Sequence, residues 1–87
     1  SNPLSFLSVQ VFSSSKEVTA DKLKNLEKPF HLFGSSQYRY CSGVFTNLEA
    51  VKTHRKALVN QGFKDCFVVG VHNNEKVSVS EVLELLK

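Results

Sequence analysis

The residues able to carry covalent or metal chemistry are few and scattered. His31, His54 and His72 fall in three separate segments, with no i, i+4 pair and no neighbouring carboxylates to complete a metal shell. Cys41 and Cys66 have neither CxxC nor Cys/His metal spacing. A chain with this many apolar residues does not need a disulfide, so neither a bridge nor a metal is expected. Glu81 and Glu84 stand i, i+3 near the C-terminus, a spacing that suits a solvated helix face better than an acid/base pair. No GxSxG, HExxH or P-loop pattern occurs, and spacing suggests no Cys/His/Asp trio. We expect no enzyme and no cofactor. What remains is a set of polar and aromatic side chains whose value depends on which element, and which face of it, carries them.

The clearest element is residues 5–12. Leu7, Val9 and Val11 alternate there with Phe6, Ser8, Gln10 and Phe12, the period of a strand with two unlike faces. Ser13-Ser14-Ser15-Lys16 ends it as a polar turn. Thr19 stands at an N-cap position before Leu23 and Leu26, which predicts a short helix over 20–26 with one apolar row. Pro29 closes that region, and 30–33 reads as a brief second strand. Residues 37–42 read as an aromatic-rich third strand ending at Gly43, a mark of a bulge or a close backbone approach. Asn47 caps the longest helix, to about 61, and Gly62 stops it. Arg55 interrupts that helix's apolar stripe, and we expect its stem along the sheet edge and its guanidinium in water. Residues 66–71 form a continuous apolar strand, followed by a turn and a short hairpin partner at 76–79. Ser78 and Glu81 have capping-box spacing before a terminal helical turn or two.

The order is strand, helix, two strands, helix, strand, with a terminal appendage. Right-handed crossovers predict an α+β fold: a four-stranded antiparallel sheet of order 4-1-3-2, two helices on one face, and the other face open. In that order the first strand separates Cys41 from Cys66. Eighty-seven residues hold one such core, burying roughly 60–65% of the unfolded surface. A net charge of +3 is too mild to announce a nucleic-acid partner. No apolar run approaches the ~18 residues that span a bilayer. The chain starts Ser1-Asn2 without a Met and reads as a piece of a longer protein. Residues 1–3 then read as a remnant or linker and 4–87 as the domain, any signal or anchor belonging to the rest.

Several pieces of this sequence, taken in order, resemble a known family. Val9-Gln10-Val11 with Ser13 is similar to the opening strand of sporulation-related (SPOR) domains. Residues 38–45, Tyr38-Arg39-Tyr40-Cys41-Ser42-Gly43-Val44-Phe45, resemble their later strand, where an Arg precedes a core residue and Gly-x-aromatic closes. Leu48-Glu49-Ala50-Val51, Leu58, Gly62-Phe63, Asp65 and Phe67-Val68-Val69 resemble the helix and final strand. The flavour is that of Bacteroidetes-type bacteria, and the resemblance runs from about Leu4 to Val79. It implies a ferredoxin/RNP-like βαββαβ domain that binds peptidoglycan, preferentially glycan strands stripped of stem peptides, on its open sheet face. It further implies a monomeric, non-catalytic module of the periplasm or cell envelope that localises a larger division or envelope protein. Contact with the membrane by the domain itself is not implied.

The resemblance also nominates residues for that face. Gln10 matches the family's Gln, lies opposite Val9 and Val11, and offers both donor and acceptor to sugar hydroxyls and N-acetyl groups. Arg39 and Cys41 share one parity, and Arg39 suits glycan carbonyls or the lactyl carboxylate exposed when the stem peptide is absent. Phe12 and Ser13 sit where the groove would open, and Phe45 either walls the groove or plugs the core. Tyr38 and Tyr40 have the parity of the covered face. Cys41 and Ser42 depart from the family pattern, since a thiol bonds sugars poorly and a buried hydroxyl must find a partner. Those departures keep open a protein–protein module that has lost glycan binding. RNA binding fits less well: the two tyrosines have the wrong parity, and Lys52, Arg55, Lys56 and Lys64 gather about the long helix.

Overall fold

Leu7, Val9 and Val11 must all leave water, and the strand that carries them became the centre of the sheet. The computed structural model describes residues 3–87, so the reading of Ser1 and Asn2 as a remnant lies outside the described residues. Strand β1 (Ser5–Ser14) pairs antiparallel with β3 (Gln37–Phe45) on one side and β4 (Phe67–His72) on the other. Strand β2 (Pro29–Gly34) adds to β3, and β5 (Glu75–Val77) adds to β4. The sheet therefore runs β2-β3-β1-β4-β5. This corrects the expected four strands to five: the hairpin partner at 76–79 is a full member of the sheet. The α+β class and the antiparallel sheet stand; there are two helices, but the second is the terminal one and not that expected over 20–26.

The helices are α1 (Leu48–Asn60) and α2 (Val79–Leu85). The helix expected over 20–26 is absent; only a 3-10 turn forms at Ala20–Leu23, and the Thr19 side chain caps nothing. Without a cap, and with one apolar row over so few residues, the segment falls short of what helix nucleation requires. It still delivers Leu26 to the core. Asn47 behaves as read, its Oδ1 accepting from Ala50 N–H at 2.9 Å, and Gly62 ends α1 at φ 114°. Ser78 Oγ accepts from Glu81 N–H at 3.1 Å and starts α2. Arg55 is not simply in water: its Nε donates to the Cys66 carbonyl at 3.1 Å, tying α1 to the start of β4.

Both helices bury against one face. Val51 and Leu58 from α1 and Val82 from α2 join Leu7, Val9, Val11, Leu26, Tyr40 and Cys66 in a single cluster. Tyr40 earns its structural reading, its ring buried and its hydroxyl accepting from Val18 N–H at 2.7 Å. Two-residue turns close the outer hairpins, with positive φ at Ser35 and Ser36 and at Asn73 and Asn74, the backbone whose twist matches the strands.

Two irregularities decide which residues face where. On β3, an extra residue beside Gly43 (φ 90°) breaks register between the pairs Leu7–Phe45 and Val9–Ser42. On β1, Val11 is extra between Gln10–Cys41 and Phe12–Tyr40. Each bulge inverts the alternation beyond it.

Candidate functional site

The face away from the helices carries Phe6, Ser8 and Gln10 from β1, opposite Val71, Val69 and Phe67 of β4. From the other side come Cys41 and Arg39 of β3, opposite Phe30 and Leu32 of β2. No helix covers this face, yet Phe6, Ser8, Gln10, Cys41, Val69 and Val71 are buried. The sheet curls around them. Phe6 and Phe30, on strands separated by β3, meet edge-on with centroids 5.7 Å apart. A trough results. One part, about 550 Å³, lies between Phe30 and Leu32 of β2 and Leu4, Phe6 and Val71. A second, about 370 Å³, lies between Leu32 and Arg39 on one side and Glu75 and Lys76 on the other.

Ser8 holds the bulge that shapes this curl, its Oγ lying 2.6 Å from the Gly43 carbonyl and 3.1 Å from that of Ser42. On the reverse side the Ser42 hydroxyl donates to the Glu27 carbonyl at 2.7 Å, and His54 Nε2 lies 3.0 Å from the same oxygen. With the hydroxyl proton spent on Glu27, His54 must be the donor, which assigns its Nε2–H tautomer. The buried hydroxyl thus has its partners, as its position demanded. Ser42 and His54 form a structural staple, and Ser42 is not poised as a nucleophile.

The nominated residues divide. Gln10 is on the trough side, but it is 6% exposed and its Oε1 accepts from Lys76 Nζ at 3.1 Å. Arg39 is half-buried on the same face, and Ser13, exposed, stands opposite it across the β1–β3 ladder. Cys41 forms part of the floor, fully buried, its thiol directed to the Arg39 carbonyl at 3.8 Å. Burial pushes that thiol up to about 12, against the pull of Lys76 and Arg39; burial likewise raises Cys66. The two cysteines lie on opposite faces of the sheet, one in the trough floor and one in the helix-side core.

Phe12 is a correction, and Phe45 takes the second of its two readings by plugging the core. Phe12 stacks on Tyr40 at 5.1 Å and packs on the helix-side core, because the Val11 bulge turns it over. Phe45 lies opposite Leu7 and against His54, at 5.1 Å, because the Gly43 bulge does the same. In their place the trough offers Phe6, Phe30 and Phe67, with Lys76 Nζ 5.0 Å above the Phe67 ring. Phe67 remains 44% exposed, a flat apolar face beside the Gln10 amide. Parity with Gln10 was enough to find Phe6; Phe67 and Lys76 required the β1–β4–β5 register, which no local pattern supplies.

Among the described residues, no three His, Cys, Asp or Glu side chains gather as a metal shell. No helix there is long and apolar enough to cross a membrane. The arrangement can bind a flat, hydroxyl-rich ligand by its rings, one amide and two cations. Compared with known proteins, the chain matches no family model, no curated protein and no solved structure.

Proposed function

We propose that the chain is a SPOR-like module that holds glycan strands of peptidoglycan, preferentially denuded ones, in the trough opposite its helices. The fold behind this reading is ferredoxin-like in strands β1 to β4, with the 3-10 turn standing where a first helix would be and β5–α2 appended. One observation supports it above the rest: a curled, helix-free face combines the rings of Phe6, Phe30 and Phe67 with Gln10, Arg39 and Lys76. Pyranose rings present apolar faces to aromatics and equatorial hydroxyls to amides, so a row of both along one trough fits an extended saccharide. The module would then localise a larger envelope or division protein in the periplasm, the parent supplying any anchor or catalysis.

Co-sedimentation with purified sacculi, before and after amidase treatment, tests the reading. Pelleting should rise after amidase removes the stem peptides, and Gln10→Ala or Phe67→Ala should lower it several-fold, as expected when one contact of ~1 kcal/mol is lost. A folded protein that pellets with neither preparation refutes glycan binding and leaves the protein-partner reading. For that alternative, the open edge of β2 with Phe33 64% exposed is the surface to examine.

A further inference from the structure

Lys76 and Arg39 stand in no ion pair among the described residues. Among the described residues the ion pairs within 4.0 Å are Lys24–Asp21, Lys52–Glu49 and Lys87–Glu84, all one helical turn apart on exposed surface. Neither trough cation takes part in one. Glu75 also borders this part of the trough, but it forms no ion pair with either cation and stands opposite His72 whereas Lys76 stands opposite Val71.

The two cations converge although they come from opposite sides of the sheet. Arg39 is on β3 and Lys76 on β5, yet both border the same 370 Å³ part of the trough. Both also act on the Cys41 thiol between the two strands' side chains, opposing the effect of its burial. Lys76 reaches across β4 to do so. Its ammonium rests on neutral partners only, the Gln10 amide oxygen at 3.1 Å and the face of Phe67 at 5.0 Å.

That contact has a consequence for Gln10. An ammonium bonds a carboxylate more strongly than a neutral amide, because both partners then carry charge. An anion entering the trough therefore competes Lys76 away from Gln10, and the released amide oxygen becomes free to accept from a hydroxyl. Binding of charge and binding of sugar are then linked through one side chain, each favouring the other.

We propose that Arg39 and Lys76 form an anion subsite in the trough, taken by the carboxylate of an acidic saccharide, and that Lys76 leaves Gln10 for that carboxylate on binding. This rests on the glycan reading and adds to it a charge requirement and a residue, Lys76, on the fifth strand. A neutral saccharide of the same backbone leaves Lys76 on Gln10 and binds by its rings alone.

The test uses three soluble probes: a denuded glycan fragment with its lactyl carboxylates free, the same fragment with them converted to methyl amides, and a neutral chitin oligosaccharide. Titration calorimetry with the wild-type chain should show the free carboxylate form binding about tenfold tighter than the amidated one, with the preference weakening as salt rises. Lys76→Gln should bind free and amidated forms alike, and Lys76→Arg should restore part of the preference. Circular dichroism confirms that each variant is folded, and both substitutions are on the exposed β5 edge. Equal binding of free and amidated fragments by the wild type overturns the anion subsite and leaves the glycan reading standing. Binding of none of the three overturns both.

Discussion

Replacing Gly43 by alanine should be among the most damaging small changes in this protein. Its φ of 90° is a backbone setting that an L side chain adopts at a cost of roughly 1–2 kcal/mol. The added methyl would stand 2.4 Å from Phe45 Cε2 and 3.1 Å from the His54 ring. Both rings would have to move, and both are committed: Phe45 to the core and His54 to Ser42. Overpacking of this kind adds roughly 1–3 kcal/mol. The expected total is about 2–5 kcal/mol, or a fall in Tm of roughly 8–40 °C for a domain of this size. Gly34→Ala is the control, since a methyl there meets nothing within 4 Å, and its effect should stay within ~0.5 kcal/mol. Urea unfolding followed by circular dichroism measures both. In the Phe45→Ala background the clash with the ring is gone, so Gly43→Ala should cost ~1 kcal/mol or more less than it does alone. A Gly43→Ala variant as stable as Gly34→Ala would refute the bulge as the element that sets the curl.

Two further outcomes follow from contacts outside the trough wall and from its floor. Tyr40→Phe keeps the stack on Phe12 but takes away the oxygen that accepts from Val18 N–H at 2.7 Å; it should cost about 1 kcal/mol, and an unchanged urea midpoint would show that this tie contributes nothing. The Cys41 thiol titrates near 9.0 in the unfolded chain and is pushed up to about 12 by burial in the native one. Its contribution is therefore full below about 9.0 and is lost progressively toward 12, at ~1.4 kcal/mol per pH unit. The stability advantage of wild type over Cys41→Ala should shrink along that range, and a pH-independent difference would contradict the burial of the thiol.

Much of the fold was legible because local signals agreed with global ones. The alternation of Leu7, Val9 and Val11 marked the central strand, and Asn47, Gly62 and Ser78 marked helix ends that the structure uses. The segment around Thr19 looked like a helix by the same rules and became a 3-10 turn. The cap residues alone do not distinguish the two cases; α1 is longer, and the packing that stabilises it comes from β1, β3 and β4 together. The fifth strand was visible as a hairpin partner but not as part of the sheet, since three residues carry too little pattern to declare their neighbours.

Phe12, expected on the open face, and Phe45, left between groove and core, both end in the core for one cause. Strand parity reports a face only as far as the next bulge, and each residue lies just beyond one, past Val11 and past Gly43 respectively. Gln10 and Cys41 lie between the bulges, and Arg39 is on the same side of the β3 bulge as Cys41; all three are on the uncovered face, as their parity predicts. The same irregularities that defeated the alternation also form the trough: inverting Phe12 and Phe45 into the core leaves the uncovered face to Phe6, Phe30 and Phe67. A regular β1–β3 ladder would have put two more rings on the open face and removed two from the core. That sheet would be flatter and stickier, with no reason for Lys76 to reach Gln10 across β4. The bulges therefore shape both the core and the trough, and a substitution that restores regular pairing should damage packing and the proposed glycan binding together.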